Sequence, residues 1–225
     1  LVEGNGQAGV FALGDQASVS AEGAVVRGGN PTAAGDGGGG VVVEDQAAFA
    51  ATDCLVEDNF HAGMSAAEAS QIELQNCAIR QTKAPPGGGQ AAGAGGWSGS
   101  TLVVKGSLLD QNSSNGLFAS GNGTVMTVAA SLVRNTVQEP GIDAGFGMNF
   151  QDGSQAVVSG SVAEGNTHTG IAVLDSGTVA QLEDCVVSGT LPGQSEWGGK
   201  GVEVSSGAAL EMQRSLVVGN TRGGL

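Results

Sequence analysis

The chain has 225 residues, of which 41 are glycine, none is tyrosine and only 4% are aromatic. Few large side chains are available for a conventional globular core, yet 40% of the residues are hydrophobic, which is too many for a disordered linker. The net charge of −14 argues against nucleic acids and anionic membrane surfaces as partners. No apolar run reaches the roughly 18 residues that a membrane-spanning helix needs, so we expect no membrane insertion.

One short motif recurs along the chain: a small residue, then apolar residues, then Asn or Thr at the fifth position after the small residue. Its small residues are Ala24, Cys54, Cys77, Ser107, Ala130, Ser161, Cys185 and Ser215. Successive copies are separated by 30, 23, 30, 23, 31, 24 and 30 residues. A period near 23 residues that lengthens on every second copy indicates a solenoid.

Two further segments accompany each motif copy. Before the small residue, apolar residues alternate with others, as in Ile72–Leu74, which is typical of a β-strand. After the Asn or Thr, a Gly precedes another short strand, as at Gly63–Met64 and Gly116–Leu117. Three short strands per unit predict an all-β parallel solenoid of about eight coils, with residues 1–225 forming a single domain.

These motifs resemble the parallel β-helix repeat of the pectate-lyase-like superfamily, in particular the Gly-rich S-T-I-x-x-N…G-G-I repeat of bacterial surface and secreted proteins. The resemblance covers essentially the whole chain. It implies a right-handed parallel β-helix located outside the cell or on a bacterial cell surface. The superfamily includes lyases, hydrolases, adhesins and passive scaffolds, so the resemblance implies no single activity. Because the chain starts at Leu1 rather than Met and stops within a repeat, we expect a fragment of a longer protein.

The Asn or Thr positions should stack on one another at a turn. Asn tolerates left-handed backbone and bonds nearby backbone groups, and the resemblance implies a ladder of such side chains. We predict a structural ladder, with Thr82 and Thr190 in the intervening coils, formed by Asn59, Asn112, Asn135, Asn166 and Asn220.

Opposite charges alternate at the third position after the small residue, which reads Arg27, Glu57, Arg80 and Asp110. Neighbouring coils would bring these charges within about 5 Å of one another. Cross-strand pairs of opposite charge stabilise a sheet by about 0.2–1 kcal/mol each. In this alignment the alternation ends at Val133.

Long gaps between the Asn or Thr and the following Gly occur on every second coil, all at one corner. They predict long loops at residues 30–40, 82–93, 135–147 and 190–201. Coils repeat every 4.8 Å or so, whereas packed layers need about 10 Å, so loops on alternate coils can lie side by side as a shelf. The candidate ligand-binding residues of this shelf are Trp97, Phe146, Trp197, Glu139, Asp143 and Glu196. The aromatic residues would either stack on sugar rings or fix their own loops to the barrel wall.

No catalytic or metal-binding residues are assigned. His61 and His168 occupy equivalent turns four coils apart, about 19 Å, so they should be solvated turn residues rather than a pair. A row of acidic residues at one turn could hold Ca²⁺. Its members are Asp15, Asp45, Glu68, Asp152 and Asp175. Because the row is interrupted and lacks the nonapeptide pattern of RTX proteins, we expect no cofactor. Outward strand positions offer no paired carboxylates of the kind that glycoside hydrolases need.

Two apolar residues follow most of the small residues, as in Leu55–Val56 and Leu108–Leu109. Alternation directs one of each pair outward, so one face should expose an aliphatic stripe suited to a protein partner. The sequence favours a non-catalytic extracellular or cell-surface scaffold or adhesin-like domain. The alternative is a carbohydrate-binding or polysaccharide-processing β-helix that uses the loop shelf, with glycans as partners.

Overall fold

The computed structural model describes residues 1–32, 35–142, 144–194 and 198–223. Within these ranges all regular structure is β-strand. The strands form three parallel sheets, in which each strand pairs with its counterparts one coil before and one coil after. Eight coils of three strands are complete and the first strand of a ninth follows. The predicted all-β solenoid of three-strand coils is confirmed.

Each sheet collects every third strand of the chain. Sheet A contains nine strands: β1 (Val2–Glu3), β4 (Val25–Arg27), β7 (Leu55–Glu57), β10 (Ala78–Arg80), β13 (Leu108–Asp110), β16 (Leu132–Arg134), β19 (Val162–Glu164), β22 (Val186–Ser188) and β25 (Leu216–Val218). Sheet B contains eight: β2 (Ala8–Leu13), β5 (Gly39–Glu44), β8 (Ala62–Ala66), β11 (Ala92–Trp97), β14 (Asn115–Ser120), β17 (Phe146–Gln151), β20 (Thr169–Val173) and β23 (Lys200–Val204). Sheet C contains eight: β3 (Ser18–Glu22), β6 (Ala48–Thr52), β9 (Gln71–Gln75), β12 (Thr101–Lys105), β15 (Val125–Ala129), β18 (Gln155–Ser159), β21 (Val179–Glu183) and β24 (Ala209–Gln213).

The core is a stack of aliphatic columns that runs through the whole solenoid. Sheet A contributes its middle residue from each strand, so that Val56, Ile79 and Leu109 are fully buried. Sheet C contributes two of the five residues in each strand, such as Leu102 and Val104. A single coil exposes these side chains above and below, and only stacking buries them, which explains why the repeat must recur.

The second residue of every sheet B strand is glycine: Gly9, Gly40, Gly63, Gly93, Gly116, Gly147, Gly170 and Gly201. A Cβ atom at Gly93 would lie 2.7 Å from the Asn112 side-chain nitrogen and 2.7 Å from the Gly116 carbonyl oxygen. Real Cβ atoms do not approach other atoms so closely, because the overlap costs more than repacking can recover. The glycine column therefore makes room for the Asn and Thr side chains at the turn between sheets A and B of the next coil.

Asn and Thr alternate at that turn from coil to coil. Asn112 accepts a hydrogen bond from the Thr82 backbone N–H at 3.1 Å and donates one to the Ile79 carbonyl at 3.0 Å. The same pattern joins Thr136 to Asn166 and Thr190 to Asn220. The Asn side chains thus bond backbone groups of the preceding coil rather than each other. Each Asn coil is fastened to the long-loop coil before it, and the structural unit is a pair of coils.

The prediction that Asn135 belongs to this column is wrong. Asn135 is exposed, has a positive φ of 53°, and donates a hydrogen bond to the Asp110 carboxylate at 2.9 Å. Thr136 takes the buried place and is 1% exposed. The small residue of this coil is accordingly Ser131 rather than Ala130. The alignments that begin at Ala130 and at Ser131 both satisfy the motif, so the motif alone cannot distinguish them.

The corrected alignment extends the column of alternating charges along the edge of sheet A. Arg134, not Val133, pairs with Asp110, and the distance from its Nη2 to the Asp110 Oδ2 is 3.2 Å. Glu57 contacts Arg80 at 2.7 Å and Arg27 at 3.9 Å. The alternation therefore spans coils 1 to 7: Glu3, Arg27, Glu57, Arg80, Asp110, Arg134 and Glu164.

Candidate functional site

The long loops leave the corner between sheets A and B and lie on the outer face of sheet B. Their described parts are residues 28–32 with 35–38, 81–91, 135–142 with 144–145, and 189–194 with 198–199. The outward residues of sheet B on coils 5 to 7 are buried beneath them, since Phe118 is 6%, Asn149 1% and Ala172 0% exposed. The loops therefore cover one sheet face and leave openings between them.

One opening is a pocket of about 210 Å³ on coils 3 to 5, lined by His61, Gln90, Ala91, Ala92, Trp97, Asn115 and Phe118. The rings of Trp97 and Phe118 supply its apolar side, with centroids 5.4 Å apart and planes inclined by 48°. Gln90 and Asn115 contribute amide groups. An aromatic surface next to amides can hold the apolar face of a sugar ring while bonding its hydroxyl groups.

The structure corrects the prediction that a loop carries Trp97. Trp97 ends strand β11, whose register with β14 pairs Ala92 with Asn115 and Trp97 with Ser120. The preceding Gly95 is needed because a Cβ there would lie 2.4 Å from the Trp97 ring. The indole therefore folds back across its own strand and reaches Phe118 on the next coil. A glycine-rich stretch that resembled a loop is in fact a strand that accommodates an aromatic ring.

A chain of amide groups runs beside the pocket. The Ala91 carbonyl accepts a hydrogen bond from Asn115 Nδ2 at 3.1 Å, which turns Asn115 Oδ1 toward Asn149. Asn149 must then present its Nδ2, which donates to Asn115 at 3.2 Å and to Gln151 Oε1 at 3.3 Å. The remaining Asn149 Oδ1 is buried and has no protein partner among the described residues.

Phe146 is the first residue of β17, so the prediction that it sits on the loop is also wrong. Its ring meets the His168 ring edge-on with centroids 5.1 Å apart. With Ala144 and Ala172 it forms a small second core against the outer face of sheet B. His168 is only 5% exposed, which overturns its assignment as a solvated turn residue. Phe146 thus fixes a long loop to the barrel and closes this face at coils 6 and 7.

Of the remaining candidates, the structure describes only Phe146 and Glu139. Phe146 lies two coils beyond Trp97 and five positions earlier along the paired strands, which separates their Cα atoms by about 19 Å. Glu139 lies in the loop between β16 and β17 and accepts a hydrogen bond from the Ser113 hydroxyl at 2.5 Å. Three further candidates lie outside the described residues: Asp143, Glu196 and Trp197.

A second opening of about 310 Å³ lies on coils 1 and 2 of the same face, lined by Gln7, Ala8, Phe11, Thr32, Asp36, Gly37 and Val42. Phe11 occupies the column of Phe118 and is 54% exposed. Thr32 and Asp36 bring polar groups from the first long loop. Both openings therefore combine an aromatic residue of sheet B with polar groups of an adjacent long loop. Sequence analysis did not single out Phe11, because no motif marks it.

A polar cluster at coils 7 and 8 was also missed. Lys200 Nζ lies 2.6 Å from Glu203 Oε1, and the Thr169 hydroxyl donates to Glu203 Oε2 at 3.3 Å. The Thr169 hydroxyl is also 3.0 Å from His168 Nδ1. Alternation along the strand does not reveal this cluster, because Lys200 and Glu203 are three residues apart and a regular strand would direct them to opposite faces.

Ion pairs engage most of the basic side chains. Arg214 bonds both carboxylate oxygens of Asp184, at 2.8 and 3.0 Å, and this hydrogen bonding lowers the pKa of Asp184. Seven of the eight basic residues take part in such pairs: Arg27, Arg80, Lys83, Lys105, Arg134, Lys200 and Arg214. With a net charge of −14, the surface disfavours polyanionic ligands.

The outward residues of sheet A form the predicted aliphatic stripe, which is half-buried along most of its length and ends at Leu216, 54% exposed. Its other large members are Val25, Leu55, Leu108, Leu132, Val162 and Val186. The acids of the interrupted row serve as turn residues, because Asp45, Glu68 and Asp152 have φ values of 55° to 57°. In the part of the chain that the structure describes, no three His, Cys, Asp or Glu side chains gather as a metal site requires. No helix long and apolar enough to cross a bilayer occurs there either.

The fold places the chain in a known class. Residues 1–137 match the family model described as the right-handed β-helix region. Because this match covers more than half of the chain, the chain belongs to that family, and the predicted right-handed parallel β-helix is confirmed.

Solved structures agree with this fold. The crystal structure of pectate lyase Pel9A is similar, with a TM-score of 0.52 and 14% sequence identity over 96% of this chain. The aligned region spans 66% of the Pel9A chain. At this identity the likeness concerns the fold alone. No curated protein sequence matches the chain.

Proposed function

We propose that this chain is a non-catalytic, extracellular scaffold or adhesin-like domain that binds a glycan on the outer face of sheet B. The observation that carries the proposal is the pocket formed by Trp97, Phe118, Asn115 and Gln90. It combines an apolar aromatic surface with the exposed amide of Gln90 within one concavity, which is a combination that recognises a sugar ring.

The scaffold part of the proposal is supported by the way the coils are fastened. Buried Asn side chains join coils in pairs, and the alternating charges continue the connection along the edge of sheet A. Loops mounted on such a rigid stack keep their positions, which favours their use in binding. The extracellular assignment is supported by the pectate-lyase-like fold, whose members commonly work outside the cell.

A second candidate function is polysaccharide processing. The observation that favours it is the cluster of Lys200, Glu203 and Thr169, because an ammonium group, a carboxylate and a hydroxyl are groups that move protons in catalysis. It predicts shortened or unsaturated products, whereas the leading proposal predicts bound glycan that is recovered unchanged.

The test is a glycan-array screen of the purified chain with and without Ca²⁺, followed by product analysis on every hit. Trp97→Ala should weaken binding at least tenfold, and Trp97→Phe should retain part of the affinity because the apolar surface remains. Val157→Ala, which changes a 46% exposed residue on sheet C, should bind as the unmodified chain does.

Each outcome separates the candidates. Loss of binding in Trp97→Ala, with an unchanged melting temperature, supports the pocket. Equal binding in both alanine variants, or no binding to any glycan, contradicts the proposal. Released products that disappear in Glu203→Gln would establish the second candidate in its place.

A further inference from the structure

The opening on coils 1 and 2 differs from the Trp97 pocket because its aromatic ring is exposed. Phe11 is 54% exposed, whereas Phe118 in the same column is 6% exposed. Val42 pairs with Phe11 from the next coil, about 4.8 Å away, and adds an aliphatic wall. The volume of about 310 Å³ is near the lower end of the range of about 300–1,000 Å³ for small-molecule sites. The opening therefore has room for a compact apolar group against the ring.

The first long loop brings the Asp36 carboxylate to this opening. The Thr32 N–H donates to the Asp36 carbonyl at 2.8 Å, and the Asp36 N–H donates to the Thr32 hydroxyl at 3.3 Å. His61 Nε2 lies 2.6 Å from the Gly35 carbonyl oxygen and fastens the same turn to coil 3. Among the described residues, no hydrogen bond or ion pair engages the Asp36 carboxylate itself. A fixed loop thus presents an unpaired negative charge beside an exposed ring.

The surroundings of the opening are strongly acidic. Residues 1–53 contain one basic side chain, Arg27, and its Nε lies 3.1 Å from a carboxylate oxygen of Glu3. The same segment contains seven acidic side chains: Glu3, Asp15, Glu22, Asp36, Glu44, Asp45 and Asp53. One positive and seven negative charges sum to −6, which attracts cations to these two coils.

The opening suits an organic cation better than a metal ion. Divalent cations such as Ca²⁺ need about six to eight oxygen ligands, whereas Asp36 is the only carboxylate among the described residues that line the opening. The face of an aromatic ring attracts an ammonium group that lies within about 6 Å of its centroid. Phe11, Val42 and Asp36 therefore combine an attractive ring face, an apolar wall and a neutralising charge.

We propose that this opening binds a small organic cation whose ammonium group carries methyl substituents. The methyl groups bury apolar surface against Phe11 and Val42, and the positive charge faces the ring and the Asp36 carboxylate. Such a group has no N–H that requires an acceptor, so a single carboxylate meets its needs. This site is separate from the Trp97 pocket and adds a second ligand class to the proposed function.

The experiment is an NMR titration of the ¹⁵N-labelled chain, followed at the amides of Gly37 and Val42, which line the opening. The probes are choline, its neutral isostere 3,3-dimethylbutan-1-ol, its unmethylated counterpart ethanolamine, and phosphocholine. Choline should bind at least tenfold more tightly than the isostere and at least threefold more tightly than ethanolamine. Phosphocholine should bind more weakly than choline, because the acidic surface repels its phosphate.

Two substitutions and a matched control separate the contributions. Asp36→Asn should reduce the preference for choline over the isostere to less than threefold. Phe11→Leu, which keeps an apolar wall but removes the ring, should weaken choline binding at least threefold and leave the isostere unchanged. Glu22→Gln makes the same change in net charge at the end of a sheet C strand and should preserve the tenfold preference.

The outcomes are decisive in both directions. Equal binding of choline and the isostere, or no binding of any probe, overturns the inference. A preference that survives in Asp36→Asn, or that Glu22→Gln abolishes equally, overturns the role of the Asp36 carboxylate. Ethanolamine that binds as tightly as choline overturns the methylated class, and tighter binding of phosphocholine overturns a free cation as the ligand. Trp97→Ala should leave choline binding unchanged, so this inference and the glycan proposal fail independently.

Discussion

Asn112→Ala tests the coil-fastening mechanism most directly. The change removes the acceptor for the Thr82 N–H and the donor for the Ile79 carbonyl, which lie at 3.1 and 3.0 Å from the side chain. Asn112 is 1% exposed, so water cannot readily replace either bond. Leaving a buried polar group without a partner costs about 1–3 kcal/mol. Two such groups predict a loss of about 2–6 kcal/mol in the free energy of unfolding.

Urea and thermal unfolding followed by circular dichroism measure this loss. For a chain of this size, each kcal/mol lowers the melting temperature by about 2–4 °C. The control is Asn135→Gly, since Asn135 is exposed and its left-handed backbone is shared by Gly165 and Gly189 at the equivalent turns. This control should change stability by less than about 0.5 kcal/mol.

Two results would refute the reasoning. Equal destabilisation by both substitutions would mean that Asn135, rather than Thr136, occupies the column. An Asn112→Ala protein as stable as the unmodified chain would mean that the backbone groups of coil 4 find other partners. A change in the urea m-value would instead show that the coils no longer unfold together, as happens in repeat proteins.

Three further predictions concern single positions. Gly116→Ala would bring a Cβ within 2.6 Å of the Gly147 carbonyl oxygen on the next coil. It should destabilise the fold by about 1–3 kcal/mol in urea melts. Gly6→Ala, where no atom lies nearer than 3.9 Å to the added Cβ, should not. The hydrogen bond from Arg214 lowers the pKa of Asp184. This pair therefore stabilises the folded state above the ordinary aspartate pKa, and the stabilisation is lost as the pH falls through the lowered value. NMR titration should show the Asp184 pKa rising toward its usual range in Arg214→Gln. Burial raises the pKa of the Cys77 thiol, so a thiol-specific reagent at pH 8 should label it only after unfolding, and rapid labelling of the folded chain would contradict its buried placement.

Much of the fold could be predicted because its causes are local and periodic. Alternating apolar residues define the strands, and the recurring glycine marks where sheet B passes the Asn and Thr turn. Spacing alone then gives the coil count, since each coil repeats the same three corners. No long-range information is needed when every contact is with the next copy of the same motif.

The one-residue error in the alignment of coil 6 has its cause in two overlapping matches to the motif. Ala130 and Ser131 are both small, and Asn135 and Thr136 both fit the turn. The alternation of charges distinguishes the two alignments, because only the one that begins at Ser131 places Arg134 opposite Asp110.

The candidate site was harder to predict because it depends on contacts between elements that are distant in sequence. Nothing in the motif shows that the long loops fold onto sheet B rather than projecting from it. Gly95 and Gly96 lack the side chains that identify a strand, so Trp97 was assigned to a loop. Phe11 becomes part of a site only because the loop around Asp36 lies beside it.

Arg80→Glu tests whether the charge column acts as one interlocked unit. Arg80 contacts Glu57 at 2.7 Å and pairs in register with Asp110 on the next coil. Reversing its charge would place three carboxylates on successive coils about 5 Å apart. Two favourable cross-strand pairs become unfavourable, and each pair contributes about 0.2–1 kcal/mol. Because the Arg80 side chain is 46% exposed, solvent screening limits the total loss to about 1–2 kcal/mol at low salt.

The salt dependence distinguishes charge from packing. At 1 M salt the screening length falls to about 3 Å, so the difference between Arg80→Glu and the neutral Arg80→Gln should shrink by more than half in urea melts. A difference that persists at high salt would mean that the aliphatic stem of Arg80, rather than its charge, stabilises the coil edge. A column in which neighbouring charges fix each other's sign also explains why the alternation continues unbroken through seven coils, since a single reversal creates conflicts on both sides.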